Sequence, residues 1–123
     1  MAEVRIAIAE PDEDIAALLA HVVERSGYQP IIASDCPLSD EVDALLHEVD
    51  ALLLEPASPR DVALARELRR RRPELPIVCI SRVEPSEEGA LLDPVRYLLK
   101  PAPLRELKSA VAEAIAAGGR DKD

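Results

Sequence analysis

The chain has 123 residues, 48% of them hydrophobic and 32% charged, with a formal net charge of −9. That length and apolar content suit one folded domain with its own core rather than a disordered tail. The negative charge disfavours phosphate backbones and anionic lipid as partners, and Tyr28 and Tyr97, the only aromatics, leave no platform for stacking single-stranded bases.

Residues 1–4 lack the basic and apolar stretches of a secretion signal, and no apolar run approaches the length of a membrane span, so a cytoplasmic location is expected. Residues 4–9 (VRIAIA) form a first strand that runs into Glu10. Asp12 is placed to cap a helix with Ile15, Leu18, Leu19 and Val22 on its inward stripe, and Gly27 to end it. Residues 29–34 form a second strand, and Pro30 assigns it to a sheet edge because proline cannot donate to a ladder. A short helix over 39–47 leads to a third strand, residues 50–54, which runs into Glu55.

After the loop at 56–59, residues 61–72 read as a helix with Val62, Ala65 and Leu68 inward, stopped by Pro73. Its arginines, Arg66 and 69–72, read as a solvated face beside Glu67 and Glu74. The fourth strand, 77–80, ends at Ser81, and Cys79 within it reads as an inert core thiol. Cys79 and Cys36 alone are no disulfide framework. Residues 85–92 are weakly helical at best, with Gly89 inside and Pro94 just after. A fifth strand, 95–99, closes on Lys100-Pro101. The last helix starts near Pro103, with Leu104, Leu107, Val111, Ala114 and Ile115 as its stripe. The domain therefore covers 1–117, and 118–123 is a tail or the start of a linker. His21 and His47 lack metal-ligand spacing and read as surface residues.

Strands alternating with helices predict parallel βα units with right-handed crossovers. At this size the expected fold is α/β: a flavodoxin-like, doubly wound, five-stranded parallel sheet of order 2-1-3-4-5, with a shortened fourth helix. Strands 1 and 3 are then neighbours, and Glu10, Glu55, Ser81 and Lys100 gather at the carboxyl edge, where such sheets build their sites.

Four pieces in order, Glu10-Pro11-Asp12-Glu13-Asp14-Ile15, residues 50–55 with Pro59, residues 76–81, and Tyr97-Leu98-Leu99-Lys100-Pro101, carry a resemblance. Over nearly its whole length the chain resembles the receiver (response-regulator) domain of two-component signalling. In that family a strand-end aspartate accepts a phosphoryl group, and neighbouring acids hold a Mg2+ ion that neutralises charge on it. The resemblance implies Glu10 and Asp12 at acidic-pocket positions, Ser81 as the hydroxyl, Lys100 as the lysine and Tyr97 as the switch aromatic.

The departures from the pattern set the functional expectation. Glu55 stands at the phosphoacceptor position, one methylene longer than aspartate, and Pro11 replaces an acid of the pocket. Glu10 and Glu55 still offer two carboxylates, so Mg2+ binding is weakened rather than excluded, and no cofactor is expected. Glu55 serves either as a phosphate mimic or as the structural partner of Lys100. The expected protein is a pseudo-receiver, not an enzyme, acting by contact with a protein of a signalling pathway or a fused output domain. A homodimer is also allowed, although the stunted fourth helix counts against the family's usual dimer face. The rival is a receiver with residual Mg2+-dependent phosphoryl chemistry through Glu10, Asp12 and Glu55. Paired-carboxylate hydrolysis by Glu10 and Glu55 lacks a nucleophile and a pocket, and a ligand at the sheet edge lacks a Gly-rich loop after the first strand.

Overall fold

Three central strands read as unbroken apolar runs because helices cover both of their faces. The computed structural model describes residues 4–33, 49–84 and 92–118. In chain order these form β1 (Arg5–Ala9), α1 (Glu13–Arg25), β2 (Gln29–Ile32), β3 (Ala51–Leu54), α2 (Pro59–Arg71), β4 (Ile77–Ser81), β5 (Arg96–Leu99) and α3 (Leu104–Ala117). All strand pairs are parallel, in the order β2-β1-β3-β4-β5. This is the doubly wound sheet expected from the sequence. The expected helices over 39–47 and after Pro85, together with Cys36, His47 and the tail from 119, lie outside the described residues.

The side-chain period of two sorts the sheet into its faces. Ile6, Ile8, Leu53, Val78, Ile80 and Leu98 point to one side and pack with α1 and α3. Ala7, Ala9, Leu52, Leu54, Ile77 and Cys79 point to the other and meet Leu64, Ala65 and Leu68 of α2. Each fully buried Leu or Ile contributes roughly 1.5–3 kcal/mol over an exposed one, so β1, β3 and β4 hold the two layers together. Among the described residues no helix is long and apolar enough to cross a membrane.

Local chemistry sets the helix ends. Asp12 Oδ1 accepts from the N–H groups of Asp14 (2.9 Å) and Ile15 (3.2 Å), which makes it the expected N-cap of α1. Helix α2 begins earlier than the sequence suggested, at Pro59 rather than Asp61. Ser58 caps it, and proline loses nothing at a first position whose N–H has no helical acceptor. Pro103 stays just outside α3 in an extended conformation. The Lys100–Pro101 peptide is cis.

Two expectations fail on the helices. Leu18 and Leu104, assigned to inward stripes, are each 51% exposed. The buried stripe of α1 runs through Ala16, Leu19, Val22 and Val23, rotated away from Leu18, and Leu104 is the first residue of α3, ahead of the buried stripe that begins at Leu107. The arginines of α2 are also not one solvated face. Arg69 donates to the carbonyls of Pro73 (2.7 Å), Leu92 (2.7 Å) and Asp93 (3.3 Å), and Arg72 donates to Val49 (2.6 Å). Arg70 and Arg71 pair with Glu67, as the solvated reading has it.

Gly27 follows α1 with φ 91°, where L-residues rarely go, and nothing lies within 4 Å of a Cβ built there. The cost of a side chain is therefore backbone strain alone. Gly27→Ala should lower stability by about 1–2 kcal/mol in urea unfolding, and Gly27→Asn by less. A neutral Gly27→Ala would mean that the turn is not held at positive φ.

Candidate functional site

The parallel register brings the last residues of β1 and β3 side by side, and likewise those of β4 and β5, with the second pair two residues further along. Ala9 lies opposite Leu54, Leu54 opposite Cys79, and Ser81 opposite Leu99. One residue further on, the Glu55 N–H donates to the Ala9 carbonyl (3.0 Å) and the Lys100 N–H to the Ser81 carbonyl (2.7 Å). The sheet ladder thus continues to the residues of the site and fixes where their side chains start.

The Lys100 ammonium sits between two carboxylates. Its Nζ is 2.5 Å from Glu10 Oε1 and 3.0 Å from Glu55 Oε1. The three side chains are nearly out of solvent, at 10% exposure for Lys100, 3% for Glu10 and 11% for Glu55. Each carboxylate turns its other oxygen to its own loop. Glu10 Oε2 accepts from the Asp12 N–H (3.1 Å) and Glu55 Oε2 from the Ala57 N–H (3.1 Å). All four carboxylate oxygens are therefore engaged. One positive charge faces two negative ones, and the loop N–H groups help to satisfy the excess.

The Glu55–Lys100 pair was legible in the sequence, but the Glu10–Lys100 pair was not. Strand order alone places Glu10 beside Glu55. It does not say that a lysine stem from β5 reaches across the ends of β4 and β3 to the end of β1. Asp12, assigned to the acidic pocket, is exposed, and Oδ1 of its carboxylate is spent on capping α1. Pro11 is exposed and brings no side-chain oxygen. Ser81 is fully buried, and its Oγ accepts from the Val83 N–H (3.3 Å) rather than joining Lys100 or Glu55. Tyr97 is half-buried, and its hydroxyl donates to the Val83 carbonyl (2.8 Å). Burial raises the Tyr97 phenol above its ordinary range, with Cys79, Glu55 and Glu84 acting in the same direction and Ser81 against it. Cys79 is buried beneath the site. Desolvation first, then the Glu55 charge, pushes its thiol up to about 11, so it stays protonated at neutral pH and behaves as the core residue expected. His21 is exposed. Among the described residues no group of three or more His, Cys, Asp or Glu side chains is placed to hold a metal ion.

This fold is shared with solved receiver domains. A response-regulator receiver domain protein from Methanospirillum hungatei superposes with a TM-score of 0.79 at 19% identity, covering 98% of this chain and 99% of that one. A sensor protein from Polaromonas gives a TM-score of 0.75 at 27% identity over 95% of this chain and 99% of its own. NtrX from Brucella abortus gives 0.79 at 21% identity over 99% of this chain but only 28% of its own, so there the same fold is part of a longer chain. No family model and no curated protein matches the sequence. The likeness lies in the backbone, and the architecture is that of a receiver domain.

Removing one partner of a buried ion pair leaves the other charge uncompensated, at a cost of about 3–5 kcal/mol. Lys100→Met strips the cation from both carboxylates and should destabilise the fold by about 3 kcal/mol. Adding Glu10→Gln to Lys100→Met should recover much of that loss, although Glu10→Gln alone is destabilising. Strictly additive effects in urea unfolding would show that these side chains do not meet.

Proposed function

We propose that the chain is a non-enzymatic, receiver-fold signalling module of the cytoplasm that acts through protein contact, without phosphorylation of a strand-end aspartate. The observation that carries this reading is the Lys100 ammonium between Glu10 and Glu55. In a working receiver that space serves a divalent cation and the incoming phosphoryl group. Here a monovalent cation covalently tied to β5 pairs with the carboxylates at those positions. Of the two roles left open for Glu55, its short contact to Lys100 and its bond to the Ala57 N–H favour the structural partner.

A Mg2+ ion does not fit these residues. It needs oxygen ligands in near-octahedral geometry, whereas both carboxylates are turned to the ammonium and the loop N–H groups. Pro11 adds no donor, and the engaged Asp12 oxygen caps a helix. The partner is a separate signalling protein or an output domain joined to this one, a reading supported by the occurrence of the same fold within the longer NtrX chain.

Incubation with acetyl phosphate and Mg2+ should leave the intact mass unchanged. A stoichiometric phosphate adduct, lost on treatment with hydroxylamine, would establish acyl-phosphate chemistry and overturn the reading.

Restoring the missing acids tests whether the chemistry was lost at two positions only. In the Glu55→Asp, Pro11→Asp double variant the shortened side chain withdraws from Lys100 and a new carboxylate joins Glu10. The melting temperature of this variant should rise with added Mg2+, while that of the parent does not. An equal rise in the parent would make Glu10 and Glu55 sufficient as ligands.

A further inference from the structure

A cavity of about 530 Å3 opens beside Lys100, between α1, α3 and the end of β4. Its walls include Ile15, Leu18, Leu19, Ile80 and Leu107, and its charged lining is Arg82 and Lys100. The volume lies within the range of small-molecule sites, roughly 300–1,000 Å3, which are mostly apolar with a few oriented polar groups. Leu18, half exposed, gives this cavity an apolar lip that the described residues leave uncovered.

The two cations differ in what they have left to offer. Lys100 is committed to Glu10 and Glu55. Arg82 is exposed and, among the described residues, makes neither an ion pair nor a hydrogen bond. A guanidinium with no partner among the described residues, beside an apolar cavity, selects a ligand with an anionic head and an apolar body. The Glu10 and Glu55 carboxylates, close behind Lys100, disfavour a dianion such as a phosphate monoester. A monocarboxylate suits one uncommitted cation.

We propose that this cavity binds a small amphipathic carboxylate, its head on Arg82 and its apolar body against Leu18, Leu19 and Leu107. The proposal stands on the cavity and on Arg82, independently of the receiver reading. Because Lys100 also walls the cavity, an occupant would lie directly against the ion pairs of the sheet edge.

Titration of the 15N-labelled protein with sodium octanoate, and with 1-octanol as a neutral analogue, tests it by NMR. Octanoate should saturate, with shifts confined to the first two turns of α1, the first turn of α3 and the residues around Arg82. Octanol should bind about fivefold more weakly, the size of one exposed charge pair. Arg82→Gln should reduce octanoate to the level of octanol without changing octanol itself. Leu18→Trp, at a half-exposed position, should fill the mouth and weaken both while the amide spectrum stays folded. Equal affinity for the two compounds, or an Arg82→Gln variant that binds octanoate unchanged, would overturn the proposal and make the cavity an apolar face for a protein partner. Failure of octanoate to saturate at millimolar concentration would overturn it as well.

Discussion

Moving an ammonium and two carboxylates almost out of water carries a desolvation penalty of several kcal/mol per ion, which only close pairing and further hydrogen bonds offset. At the carboxyl edge of this sheet both conditions are met. Lys100 reaches Glu10 and Glu55, and the free oxygen of each carboxylate meets a backbone N–H of its own loop. In the parallel register β1 and β3 end level with each other, while β4 and β5 run two residues further, so Lys100 reaches back across the sheet edge to the two glutamates. Substrate, metal and partner chemistry at this edge all have to contend with carboxylates whose oxygens are already engaged.

The strands, their order and the residues at their ends were legible because a buried parallel sheet imposes a simple pattern: an apolar run, then a polar residue where the strand meets the loop. Glu10, Glu55, Ser81 and Lys100 all fell where that pattern put them. What each side chain does there was less legible. Asp12 is as good a cap as it is a metal ligand, and only coordinates show the capping bonds. Ser81 has the right position for an exposed hydroxyl, yet it is sealed by the chain around it. Helical periodicity likewise identifies a stripe but not which of its residues are buried. Leu104 stands ahead of the buried stripe of α3, and on α1 the stripe passes through Ala16, Leu19, Val22 and Val23 and leaves Leu18 out.

The arginines of α2 show the same gap between composition and use. Five of them in a short stretch look interchangeable. Arg70 and Arg71 do make the helix-surface pair with Glu67 that the spacing suggests, and such exposed pairs contribute little. Arg69 and Arg72 instead clamp carbonyls at Pro73, Leu92, Asp93 and Val49, tying α2 to segments before β3 and before β5. A guanidinium has enough donors to serve several carbonyls at once. Arg69 still leaves its buried Nε without an acceptor, so the clamp is held despite an unsatisfied donor.

The central position of β1 has a consequence for how the protein is made. Its ladder toward β3 joins Ile6 to Ala51, and the Glu10–Lys100 contact spans 90 residues of sequence. A ribosome delivers β1 first, long before either partner exists. Only the β2 side of its ladder, Arg5 to Gln29, is available early. One apolar face of β1 can meet α1 early, whereas the face carrying Ala7 and Ala9 waits for α2, and Lys100 reaches the two glutamates only once the last strand has emerged. Such non-local closure is slow, because loop entropy is lost before the contacts form. The ion pairs of Lys100 thus need the whole described sheet to be present, from its first strand to its last.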